Sequence, residues 1–256
     1  MRKLGRRPRI YNHKVPSLTA MLGGKQLPAP APSVNYLSAM PSDLGALANN
    51  WLGCCTCAAF YHAIQVWTFN ANPPMITWPT MDVIDLYSKA CGYVQWQPAT
   101  DQGGVVQDVL GYISKTGAPI WKWGDGVDKL AAFVEIDVKD TDNVKRCTAE
   151  FGVSYLGMSV PAFIMNQDNP PAVWDVDPKA DNSIVGGHAV VAAGYDSTGL
   201  DFISWGTHYR LTWGFFAQFV DECYALASAD WINAKGTAPC GLTLAQLEAA
   251  MTALKS

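Results

Sequence analysis

The sequence has no apolar run of the length that a secretory signal or a membrane span requires. Pro8, Tyr11, Asn12, His13 and Pro16 interrupt the stretch in which a signal's apolar region would stand. The expectation is a chain with no signal peptide and no membrane contact. Charge is also scarce: 16% of residues are charged and the net charge is −4. That excludes a general attraction to anionic membrane and gives no basis for specific nucleic-acid binding. Acidic residues are missing altogether between Met1 and Lys14, where Lys3, Arg6, Arg7, Arg9 and Lys14 make a basic arm on an acidic body. A second close pair of cysteines is missing too. Cys54, Cys55 and Cys57 crowd into four positions, while Cys91, Cys147, Cys223 and Cys240 stand apart. An odd total with that crowding is poor geometry for a disulfide framework, and a lone C-x-C is poor zinc spacing. Reduced thiols, no metal and no cofactor are expected.

The 256 residues, 49% of them apolar, suffice for one large domain or two lobes around a cleft. Residues 1–48 read as an extended arm, since Pro8, Pro16, Pro28, Pro30 and Pro32 forbid long helices and the stretch from Leu27 to Pro32 favours polyproline II. Such an arm is expected to make few contacts with its own core and to bind a partner. Residues 49–235 form the body. Cys55–Phe69 reads as a mostly buried helix, followed by helices over Asp82–Ala90, Gly104–Lys115 and Asn143–Glu150. Strands are expected over Val153–Val160, His188–Gly194, Gly199–Trp205 and Leu211–Phe216, the second of these apolar enough to be buried on both faces. In the tail, residues 236–256, a helix over Thr243–Lys255 has Leu244, Leu247, Met251 and Leu254 on one stripe. Helices first and strands second make an α+β protein with a helical lobe and a sheet lobe.

Chemistry concentrates at two places. Leu52-Gly53-Cys54-Cys55-Thr56 sets a cysteine at the junction of a glycine turn and a helix, where the helix N-terminus favours a thiolate. On its own this is also where an ordinary buried cysteine stands. Gly186-Gly187-His188-Ala189-Val190 puts a histidine at the entry to a buried strand, and Ile203-Ser204-Trp205-Gly206 closes a later one.

Cys, then Gly-His-Ala-Val-x-x-x-Gly-Tyr, then Ser-Trp-Gly, in that order, resembles the papain-like cysteine peptidases. The run from Asn49 to Thr68 is similar to a phage and prophage branch with a Leu-Gly-x-Cys-Thr segment. The resemblance spans Asn49 to Phe219. It implies a two-lobe fold in which a central helix carrying the nucleophile packs on an antiparallel sheet or barrel. It makes Cys55 the nucleophile and His188 its base. A rival register, Cys57-Ala58-Ala59-Phe60, would make Cys57 the nucleophile. Gly103 and Gly104 match a Gly-Gly segment that pairs with substrate backbone, and Asn49 stands where the family has an oxyanion-hole Gln.

One departure bears on activity. Ile203 stands where the family has the Asn that orients the histidine, and its neighbour Ser204 is expected on the opposite strand face. On that reading activity is weak, and Ile203→Asn should raise it. His62, two turns along the helix, is a lesser candidate base; His208 is expected on an exposed loop. Trp67, Trp78, Trp96, Trp121, Trp123 and Trp205 are expected to anchor packing, with Trp121-Lys122-Trp123 as a contact surface. Two functions follow. One is a thiol hydrolase of peptide or isopeptide bonds, acting on a peptide or protein. The other is an inactive papain-fold structural protein, such as a phage virion component whose arm grips other virion proteins. The expected location is the bacterial host cytoplasm or the virion.

Overall fold

The computed structural model describes residues 2–10, 15, 17, 29–121, 126–165, 170–238, 243 and 245. The expected tail helix over Thr243–Lys255 and the residues Lys122 and Trp123 lie outside this set, apart from two isolated tail positions. The central element is helix α1, Cys55–Ala71, of whose 17 residues all but Phe69 and Asn70 are buried. A surface helix shows one apolar stripe; this one is apolar nearly all round because partners surround it. Helix α2 (Thr80–Cys91) ends where Gly92 takes a left-handed φ of 77° and returns its N–H to Ser88 O. Helix α3 (Val106–Lys115) buries Val106, Val109, Leu110 and Ile113. Helix α4 (Thr141–Phe151) starts at Asp140, whose carboxylate accepts from the Asn143 N–H. Short helices α5 (Ala162–Met165) and α6 (Trp213–Phe219) complete the set among the described residues.

The strands are β1 (Val34–Asn35), β2 (Ala118–Ile120), β3 (Gly126–Asp128), β4 (Leu130–Ile136), β5 (Ser154–Pro161), β6 (Val173–Trp174), β7 (Ile184–Tyr195), β8 (Gly199–Ser204), β9 (Thr207–Thr212) and β10 (Val220–Ser228). The main sheet runs β4-β10-β5-β7-β8-β9-β6, with β1 added to β7. Its pairs are antiparallel except β6 with β9. Strand β7 lies at the middle, paired with β5 and β8 and covered by α1. That explains the continuous apolar run Ala189–Ala193, all of it buried. The mixed α+β architecture is the one expected.

Several expectations are corrected. Leu211–Phe216 is not one strand: β9 stops at Thr212, whose hydroxyl caps α6 by accepting from the Phe215 N–H at 3.1 Å. His208 lies on β9, half-buried, rather than on an exposed loop. Trp67 and Trp205 are packing anchors, but Trp96 and Trp121 are 85% and 71% exposed. The described residues among the first 48 are not a free arm either. Leu37, Met40, Leu44 and Leu47 join the core, β1 pairs with β7, and residues 2–9 dock on the body.

Candidate active site

Cys55 opens α1, and His188 lies on β7 beneath it; each is 1% exposed. The backbone N–H of Ala189, next to His188, and that of Gly5 in the arm lie close enough to the Cys55 sulfur to favour its thiolate. The imidazole is fixed from two sides. Its Nε2 is 2.7 Å from Ser204 Oγ, and the Trp205 indole stacks on it with centroids 4.6 Å apart and planes at 20°. Nδ1 is buried with no hydrogen-bond partner among the described residues. With Nε2–H donated to Ser204, Nδ1 keeps a free lone pair, the state a proton acceptor needs.

Ser204, not Ile203, therefore faces the histidine. Val191 lies opposite Ile203 in the β7–β8 pair. Opposed residues share a face, so Ile203 sits on the Val191 side and Ser204 on the side of Val190 and His188. The two neighbours do point to opposite faces; the error is in which of them meets the imidazole.

Burial, then the Cys91 thiol on α2, pushes the Cys57 thiol well above its ordinary value. His62 bonds Gln65 through Nδ1 at 2.7 Å inside α1, and burial lowers it to about 4. All six described cysteines are free thiols, and no group of three or more metal-ligating side chains occurs among the described residues.

Asn49 is buried and donates through Nδ2 to Leu52 O at 3.0 Å and to Lys3 O at 3.3 Å. Trp205 Nε1 donates to the same Lys3 carbonyl at 3.0 Å. The turn before the helix is tied by Asp101, which accepts from Gly53 N–H at 2.9 Å and Tyr87 O–H at 2.7 Å. Asp101 went unnoticed in the sequence, where it reads as one more loop acid ahead of the Gly-Gly pair.

The arm occupies this site. Lys3–Arg7 runs between the two lobes as an extra strand. Gly104 N–H donates to Gly5 O and Arg7 N–H donates to Gly104 O, both at 2.8 Å; on the other side Gly5 and Arg6 N–H groups reach Gly187 O at 3.1 and 2.9 Å. A side chain on Gly103, whose φ is 74°, would strike Gly5 O at 2.1 Å, so glycine there is a condition of backbone approach. The arm's cover changes the electrostatics. Burial pushes the Cys55 thiol up to about 11, opposed by the Ala189 and Gly5 N–H groups and the Arg6 charge. Burial, then Arg6, brings His188 down to about 3. The expected low thiol pKa is absent because burial disfavours both charged forms, and beneath the arm both groups are neutral at pH 7.

No protein-family profile matches the chain, and no curated protein sequence does. Solved structures do. Xylellain, a cysteine protease from Xylella fastidiosa, matches with a TM-score of 0.64 at 17% identity, over 88% of this chain and 96% of that one. The cysteine protease and lectin-like domains of Cwp84, a surface layer associated protein of Clostridium difficile, match with a TM-score of 0.58 at 11% identity, over 89% of this chain and 56% of that one. Digestive procathepsin L 3 of Tenebrio molitor matches with a TM-score of 0.53 at 13% identity, over 88% of this chain and 75% of that one. At these identities what is shared is the fold.

Proposed function

We propose that this papain-like fold carries a thiol hydrolase of peptide bonds, with Cys55 as nucleophile and His188 as base. One observation carries the reading: the cleft between the lobes already holds a peptide backbone, Lys3–Arg7, bonded on both sides and laid against the Cys55 sulfur. A cleft that pairs with backbone through Gly104 and Gly187 binds extended peptide of many sequences. In the reaction Cys55 Sγ attacks the carbonyl carbon while its proton passes to His188 Nδ1. Asn49 Nδ2, released from Lys3 O when the arm leaves, and the N–H groups at the start of α1 stabilise the oxyanion. The intermediate collapses to a thioester as His188 returns the proton to the leaving amine, and water, deprotonated by His188, releases the acid. Ser204 sets the tautomer and Trp205 the plane of the ring. The substrate has to displace the arm first.

The test is kcat/KM on a fluorogenic peptide library for wild type, for full-length Arg6→Ala with its arm loosened, and for Cys55→Ala. Hydrolysis in Arg6→Ala that Cys55→Ala abolishes supports the reading. A folded Arg6→Ala protein no faster than the blank overturns it. The filled cleft and the neutral thiol favour one second reading, a papain-fold structural protein such as a virion subunit. Such a protein would keep the arm seated and leave Cys55 unlabelled by a thiol-directed epoxide. Among the described residues no helix is long and apolar enough to cross a membrane.

A further inference from the structure

One arm side chain is handled unlike its neighbours. Arg6 leaves the backbone pairing with Gly187 and drops to the foot of β10, where its side chain is 3% exposed. Nη1 and Nη2 meet the two oxygens of Asp221 at 2.6 and 2.7 Å, and Nη1 also meets Glu222 Oε1 at 2.7 Å. Glu222 has a wholly buried side chain, and its other oxygen accepts from Tyr224 O–H at 2.8 Å. Space for it comes from β5: a side chain at Gly157 would strike Glu222 Cγ at 2.4 Å. Ser159 Oγ donates to Asp221 Oδ2 at 3.3 Å. Two carboxylates held this way, one of them without access to water, are costly to keep in an empty pocket and match a planar guanidinium through paired hydrogen bonds.

We propose that Asp221 and Glu222 form an arginine-selective subsite of the cleft, so that the peptides it takes carry arginine at the position the arm fills with Arg6. This rests on the peptide-cleft reading above. It also goes further, because backbone pairing alone accepts any side chain. Geometry supports transfer from the arm to a free peptide: the Arg6 backbone is held by Gly187 O, a contact any extended ligand makes, and only the guanidinium contacts select. A pocket serving the arm alone would bind Arg6 in place and reject the same group offered on a separate chain.

The experiment uses the full chain with Arg6→Ala, which empties the pocket, in a Cys55→Ala background. Binding of acetyl-Gly-Arg-Gly-amide is measured by calorimetry against the same peptide with citrulline, a neutral isostere of arginine. The expected result is at least tenfold tighter binding of the arginine peptide, a preference that Asp221→Asn reduces severalfold and Glu222→Gln abolishes. Equal affinity for both peptides, or no binding of either, overturns the proposal. If Arg6→Ala does not fold alone, the two peptides are compared for restoring its cooperative unfolding transition, and rescue by neither, or by both alike, overturns the proposal. Hydrolysis by the Cys55 proteins separates the two readings. Arginine-selective binding without turnover sinks the hydrolase and leaves the subsite, whereas turnover without arginine preference does the reverse.

Discussion

At the scale of single residues, Ser204 and Ile203 show how much hangs on strand register. Ile203 is buried on the face away from His188, so the substitution expected from the sequence to repair the site should damage the fold instead. Ile203→Asn removes buried methyl groups and strands an amide in the core, and should cost about 2–4 kcal/mol in urea unfolding with no gain in hydrolysis. Ser204→Ala leaves packing nearly intact but frees the imidazole Nε2. Hydrolysis should fall by roughly ten- to a hundredfold, a part of what a general base contributes, with the midpoint of unfolding nearly unchanged. An activity equal to wild type would mean that Trp205 alone positions the ring. The motif residues were legible because Gly-Gly-His and Ser-Trp-Gly are unusual strings. Their mutual facing was not, because a shift of one residue exchanges the faces of a strand and only the pairing partner fixes it.

At the scale of elements, α1 was readable from a long apolar run without Gly or Pro, and β7 from the continuous apolar run Ala189–Ala193, the mark of elements covered on every side. Strand β10 was not expected, since Asp221-Glu222 at its head reads as solvated loop when nothing shows the arginine that neutralises the pair. The arm misled for a related reason. Prolines and basic residues do make it extended, but its docking depends on carboxylates more than 200 positions away. Removing one partner of a buried ion pair leaves the other unpaired, so Arg6→Ala should lose about 3 kcal/mol of stability. The same change should loosen the cover over Cys55. Water then brings the thiol down from about 11 and the imidazole up from about 3, each toward its ordinary value. Iodoacetamide should label Cys55 at least tenfold faster than in wild type at pH 7, while Cys223, buried behind the sheet, keeps its rate. Unchanged labelling of Cys55 would show that the arm does not control access.

At the scale of the whole molecule, helices before strands fixed an α+β class, and three motifs in the right order suggested two lobes around a cleft. The closing of that cleft by the chain's own first residues is a long-range property that no local pattern carries. Long-range charge placement also governs stability, at a site far in sequence from the motifs. Asp128 on β3 and Asp230 after β10 lie close enough to interact, and both are half-buried. Burial, then the Asp230 charge, pushes Asp128 up to about 8, so in the folded state one proton is held between the two carboxyls at neutral pH. In the unfolded chain Asp128 titrates near the ordinary aspartate value of about 4. Between those values Asp128 binds more protons in the folded state than in the unfolded one, so its contribution to stability falls as pH rises from about 4 to about 8. Asp196 works the other way: the Thr198 hydroxyl and N–H hold it down at about 2, and its contribution is lost as pH falls below the ordinary value toward 2. His62 and His188, neutral in the fold at about 4 and about 3, oppose Asp128 below the ordinary histidine value, so the Asp128 contribution is read from the difference between two proteins. Asp128→Asn keeps a hydrogen-bonding side chain while removing the proton demand. It should raise stability by about 1–3 kcal/mol at pH 8, part of the full shift being screened by solvent, and by almost nothing at pH 4. Urea titrations of both proteins across that range are the measurement. Parallel pH profiles for Asp128→Asn and wild type would mean that the two carboxyls do not share a proton.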